Sequence, residues 1–130
     1  MLTISSSDNS EIFVAVPRNR SDPDLVEWVL PASNPLLRTA ARDPTELFAS
    51  GNGRDLLLGT GTQSGTALWR CANCSSLEDV VDPARWAEDG LFHSNLDVDG
   101  GHYWECPDAY AVAGDTWVSK CLFPRLLVVT

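Results

Sequence analysis

Two carboxylates in this chain sit among residues that restrain the backbone. Asp43 stands between Arg42 and Pro44, and Glu105 lies within Trp104-Glu105-Cys106-Pro107-Asp108, sixty-two positions further along. Paired carboxylates on separate elements are the minimum equipment for breaking a glycosidic bond. Taken alone, Asp43 reads as a turn-opening residue before proline, and Glu105 as a carboxylate at a rim. Glu105 is the less ordinary of the two. Its neighbours Trp104 and Cys106 offer an apolar setting that favours a protonated carboxyl, as a general acid requires.

These groups need elements to hold them, and the sequence reads as short strands. Glu11 to Val16 forms an apolar-rich strand ended by Pro17, and Leu25 to Leu30 is a second apolar stretch bracketed by Pro23 and Pro31. Thr45 to Ala49 and Asp55 to Thr60 flank Ser50-Gly51-Asn52-Gly53, where Asn-Gly is a strong hairpin signal. Gly65 to Arg70 follows the turn Gly61-Thr62-Gln63-Ser64. Ala109 to Ala113 and Thr116 to Leu122 flank Gly114-Asp115 as a second hairpin, and Leu126 to Val129 is a last apolar run. Strands at this spacing predict an all-β sheet, barrel or propeller. Eight prolines and nine glycines argue against long helices. Pro83 to Glu88, with Asp82 as N-cap, is the helical candidate. Asp89 to Gly101 reads as a long polar loop, which would place Glu105 just after a loop, where reactive groups are often carried.

Composition narrows the classes. The 130 residues are one domain's worth of chain, and an apolar share of 44% with five tryptophans supports a modest core. Eighteen acidic against nine basic residues give a net charge of −9. This speaks against a nucleic-acid partner, which wants a basic patch, and against an anionic membrane surface. Between Glu78 and Asp99 seven carboxylates accompany one basic residue, Arg85, and the run reads as a solvated loop. No stretch of about 18 apolar residues predicts a transmembrane helix. Met1-Leu2-Thr3-Ile4-Ser5 lacks the features of a signal peptide, so localisation stays open.

Cys71-Ala72-Asn73-Cys74 has the spacing of half a zinc site, but no second close pair completes it, and neither His93 nor His102 fits. Unpaired thiols or one disulfide suit the spacing better. Asn95 to Gly100 resembles a calcium loop, yet Glu105 falls one position short of the required register. No metal and no cofactor are therefore expected. Asn19-Arg20-Ser21 and Asn73-Cys74-Ser75 match the N-glycosylation pattern.

Taken together, the motifs resemble glycoside hydrolase family 32, the invertases and other β-fructosidases. Trp104-Glu105-Cys106-Pro107-Asp108 looks like the family's acid/base motif, and Arg42-Asp43-Pro44-Thr45 like its second acidic motif. Ser21-Asp22-Pro23-Asp24-Leu25, Glu27-Trp28-Val29 and Asn34-Pro35-Leu36 follow in the order seen in plant-type invertases. Gly65 to Arg70 and Thr116 to Lys120 are similar to later family segments, so the match spans roughly residues 10 to 122. The resemblance implies that residues 1–130 are a fragment of a five-bladed β-propeller, about its second and third blades. It implies that Glu105 is the general acid/base and that Asp43 stabilises the transition state. It also implies that Arg42, Trp104 and Asp108 contact a fructosyl-containing sugar, sucrose or a fructan.

The sequence also departs from the family. The family nucleophile lies in a Trp-Met-Asn-Asp-Pro-Asn-Gly-like motif, and these 130 residues contain none. Two classes of function follow. One is part of a retaining β-fructofuranosidase. The other is a non-catalytic relic that binds sugar or a partner protein. Open propeller edges predict self-association in either case.

Overall fold

The computed structural model describes residues 1–21, 23–24, 26–40, 42–45, 47–50, 53–62, 65–94, 108–113, 116–120 and 126–129. They form an all-β assembly of short antiparallel strands in three sheets, with almost no helix. The expected fold class is borne out at that level. The first sheet holds β1 (Leu2–Ser5), β2 (Glu11–Pro17), β3 (Trp28–Val29) and β4 (Leu37–Arg38). The second runs in the order β5 (Phe48–Ala49), β6 (Leu56–Thr62), β7 (Gly65–Cys71), β8 (Trp86–Ser94). The third is a meander of β9 (Asp108–Ala113), β10 (Thr116–Lys120) and β11 (Leu126–Val129).

β2 anchors the first sheet because alternate side chains, Ile12 and Val14, are fully buried. β1 pairs along one edge, from Leu2 opposite Ala15 to Ser5 opposite Ile12. The other edge is shared. Val29 pairs with Val16, and Leu37 pairs with Ile12, so the chain detours between them. Asn34 fills the gap. Its Oδ1 accepts the Val14 amide at 2.9 Å, and its Nδ2 donates to the Val14 carbonyl at 2.8 Å. One side-chain amide thus replaces the missing peptide of the ladder, and no backbone group of Val14 is left without a partner on that edge.

The hydrophobic core lies where the first two sheets meet. Ile12, Val14, Leu36 and Leu37 pack with Leu58, Cys71, Cys74, Val80 and Trp86. Both core indoles are paired: Trp86 Nε1 donates to the Val80 carbonyl at 2.9 Å, and Trp69 Nε1 to Thr60 Oγ1 at 3.0 Å, while the buried Thr66 hydroxyl has no partner among the described residues. Arg70 ties three strands of the second sheet together. It reaches Asp55 just before β6 at 2.9 Å and Asp89 on β8 at 2.5 Å.

The sequence expectations need correction between residues 75 and 94. The acid-rich stretch is not one loop. Ser76 caps a short helix, α1 (Leu77–Val80), in a capping box with Asp79. Asp79 accepts from the Ser75 and Ser76 amides, and these bonds, Ser75's first, hold its carboxyl below the usual range. Asp82 does cap a helical turn, but only the 3-10 turn Pro83–Arg85. From Trp86 the chain becomes β8, because a buried Trp86 and the β7 ladder outweigh local helix propensity. β8 also takes the first part of the expected loop after Asp89. Its acids are tolerated because it is an outermost strand, where charge discourages unwanted pairing. β1, in turn, carried no strand expectation. Cys71 and Cys74 form a disulfide, one of the two alternatives to zinc.

Asn34→Ala should lower the unfolding free energy by about 1–3 kcal/mol, since it orphans a buried donor and acceptor together. Urea denaturation checks this. A loss below about 0.5 kcal/mol, the level of an ordinary surface substitution, would mean that the amide is not part of the ladder.

Candidate active site

Arg42-Asp43-Pro44-Thr45 lies along the outer edge of the second sheet, just ahead of β5 and beside β6. Arg42 makes a two-way backbone bridge with Gly61: its amide donates to the Gly61 carbonyl at 3.0 Å, and the Gly61 amide donates back at 2.8 Å. Thr45 then meets Gly59, its amide donating to the Gly59 carbonyl at 2.8 Å. Three steps along the motif strand are matched by two along β6. That is a β-bulge, and it falls on Asp43 and Pro44. Asp43 absorbs the offset with φ of 48°, in the left-handed region. Pro44 does not itself favour this region, since proline biases the residue before it towards extended backbone. Among L-residues, aspartate is one of the few that tolerate this region, at a cost of about 1–2 kcal/mol. Such strain persists where surrounding bonds over-determine the backbone, and functional sites are where it concentrates.

Arg42 and Asp43 are both half-buried. They sit side by side as a cation and an anion on a bulged edge, a fixed donor fork beside an acceptor. This pairing suits the hydroxyls of a polar ligand. These two expected residues are neighbours in the chain, and both fall in this edge segment. Asp108 is the first residue of β9, in the third sheet, opposite Lys120. Trp104 and Glu105 lie outside the described residues, as do both the calcium-like loop and the Cys106-Pro107 part of the motif.

Two residues that sequence reasoning passed over complete the local geometry. Thr45 is 4% exposed, and its Oγ1 accepts the Gly59 amide at 2.8 Å. Its carbonyl accepts the Thr3 hydroxyl of β1 at 2.7 Å. Gly59 has no room for a side chain, since a Cβ there would lie 2.9 Å from the Thr45 methyl. The available signal was a threonine directly after Arg-Asp-Pro and two glycines at alternate positions of β6.

A cavity of about 400 Å³ opens elsewhere, lined by Ser33 to Arg38 with Trp69, Pro83 and Trp86. Its lining does not include Arg42 or Asp43. The Asn34 amide is spent on Val14, and the Ser33 hydroxyl on the Val81 carbonyl at 2.5 Å. It is a packing cleft between the sheets. No group of His, Cys, Asp and Glu among the described residues could hold a metal.

Comparison with known proteins gives the chain its relatives. It is 34% identical over 113 residues to "Beta-fructofuranosidase, insoluble isoenzyme 2" of Oryza sativa subsp. japonica, covering 78% of this chain and 17% of that protein. It is 32% identical over 115 residues to "Fructan 1-exohydrolase w1" of Triticum aestivum, covering 76% and 17% respectively. A third relative, "Fructan 1-exohydrolase" of Hordeum vulgare, is 32% identical over 106 residues. The matches thus span only about one sixth of the length of these relatives. No protein-family model matches the chain.

Replacing Asp43 separates conformation from charge. Asp43→Gly should leave stability within about 1 kcal/mol of the parent, as relief of the left-handed backbone offsets glycine's larger entropy cost. Asp43→Val should lose about 1–3 kcal/mol, because a β-branched residue resists positive φ. Thermal unfolding of both variants decides it. Equal stabilities would argue against a strained bulge.

Proposed function

Because this chain is a partial member of glycoside hydrolase family 32, we propose that it carries the fructosyl-binding and acid/base groups of a β-fructofuranosidase-like glycosidase. Its substrate would be sucrose or a fructan. The observation that carries this reading is Asp43 beside Arg42, held in left-handed backbone on a bulged sheet edge. Asp43 binds the fructosyl hydroxyls and stabilises positive charge as the oxocarbenium-like transition state develops. Arg42 holds the same sugar through its fixed donor fork, and Trp104 and Asp108 line the site.

Glu105 is the acid/base. It protonates the glycosidic oxygen as the leaving sugar departs, and later deprotonates the incoming water, so that the configuration is retained. A retaining mechanism also needs a carboxylate nucleophile to form the fructosyl-enzyme intermediate. These 130 residues hold no family nucleophile motif. We therefore assign them a place as part of the enzyme, within a partial β-propeller, and expect little turnover from them alone. Loss of one catalytic carboxylate costs several orders of magnitude in rate.

The missing motif favours a second reading, a non-catalytic relic that binds sugar or a partner protein. The enzyme reading and the sugar-binding form of the relic both place fructose on Asp43. Purified protein should bind fructose weakly, and Asp43→Ala should abolish that binding in ligand-observed NMR. Sucrose and a short fructan should remain intact. Steady release of fructose, lost in Glu105→Gln, would overturn the inactivity of the chain by itself. Absence of fructose binding would sink the enzyme reading and the sugar-binding relic alike.

Self-association is the partner expectation. β1 is an outermost strand, and Met1, Leu2 and Ile4 on it and beside it are 45%, 46% and 45% exposed. An edge that no described strand pairs, with apolar neighbours, promotes strand addition. Sedimentation velocity should show mass rising with concentration, and Ile4→Lys should reduce it. A concentration-independent monomer would exclude this mode.

A further inference from the structure

We propose that Thr45 is a positioning residue for Asp43, acting because its side chain takes a ladder bond that its carbonyl would ordinarily take. In a regular antiparallel pair the Gly59 amide would donate to the carbonyl of its partner. Here it donates to Thr45 Oγ1 at 2.8 Å, while the Thr45 amide still donates to the Gly59 carbonyl at 2.8 Å. The Thr45 carbonyl is thereby turned to another sheet, where Thr3 Oγ1 donates to it at 2.7 Å. One residue is held to β6 by two bonds and to β1 by a third.

Asp43 and Pro44 therefore span two fixed points. Arg42 is fixed by its bridge to Gly61 on one side, and Thr45 by Gly59 and Thr3 on the other. With both ends set and one residue too many between them, the left-handed conformation of Asp43 is the means of closing the offset. Gly59 belongs to the same device, because only a residue without a Cβ lets the Thr45 methyl approach so closely. Thr45 need not touch the sugar. Its effect reaches the ligand through the conformation of Asp43, and so the inference rests on the reading that Asp43 binds a fructosyl unit.

The test uses the full chain and two conservative variants. Thr45→Ser keeps the hydroxyl, whereas Thr45→Val keeps the shape and loses it. Two readouts are taken on each: fructose affinity, and the amide-to-α-proton coupling of Asp43, which reports its φ. Thr45→Val should weaken fructose binding on the order of tenfold and move the Asp43 coupling towards extended values. Thr45→Ser should keep both near the parent. Parental affinity and coupling in Thr45→Val would overturn the proposal, as would equal losses in the two variants. If Thr45→Val does not fold, Thr3→Val carries the same test from the other sheet, with the same direction expected. If the parent itself binds no fructose, the functional reading fails, and the Asp43 coupling in the two variants still decides whether Thr45 sets its conformation.

Discussion

A backbone polar group buried away from water must find a partner, and this chain meets that demand at its irregular points with side chains. Asn34 stands in for a whole peptide where the strand beside β2 is interrupted. Thr45 stands in for a carbonyl where the strand beside β6 carries an extra residue. Without the first, the sheet edge facing Leu36 and Leu37 would have a hole in its ladder. Without the second, the Gly59 amide would lose its partner on that edge. The two substitutions serve different ends: one preserves a core, and the other preserves a conformation.

The strands that could be read from sequence were those whose burial pattern and turns agree. β2 is an unbroken apolar run, Ile12 to Val16, ended by a proline, and β6 and β7 are two seven-residue strands, apolar in part, separated by Gln63-Ser64. Around residues 75 to 94 local and tertiary signals conflict. Acidic density suggested solvent, yet Trp86 is buried and Asp89 pairs with Arg70 across the sheet, so the segment is drawn into the fold. β1 has no buried face, although a turn of Ser, Asp and Asn residues follows it. Its place comes from the long-range pairing of Leu2 to Ser5 with β2.

At the candidate site the reactive residue types were legible and their support was not. Arg42 and Asp43 read as a turn when taken alone, and they stand out only in order with the other landmarks of the resemblance. The importance of Thr45 and Gly59 depends on which residues face each other across a ladder, and no spacing rule reveals that a threonine will offer its hydroxyl where a carbonyl is expected. The relatives supply the family, and the geometry supplies what the bulge does to the motif: it holds Asp43 in left-handed backbone.

Beside β6 the outer strand takes an extra residue twice. Arg42 faces Gly61, Thr45 faces Gly59 and Phe48 faces Leu57, three steps on one strand for two on the other each time. Each bulge takes up its extra residue locally, so the three register positions stay on one face of the sheet. Loss of the extra residue at the first bulge would leave Thr45 opposite Gly59 and Phe48 opposite Leu57, while erasing the offset that holds Asp43. A graft of Arg-Asp-Pro alone onto a straight strand would accordingly carry the letters of the motif without its shape.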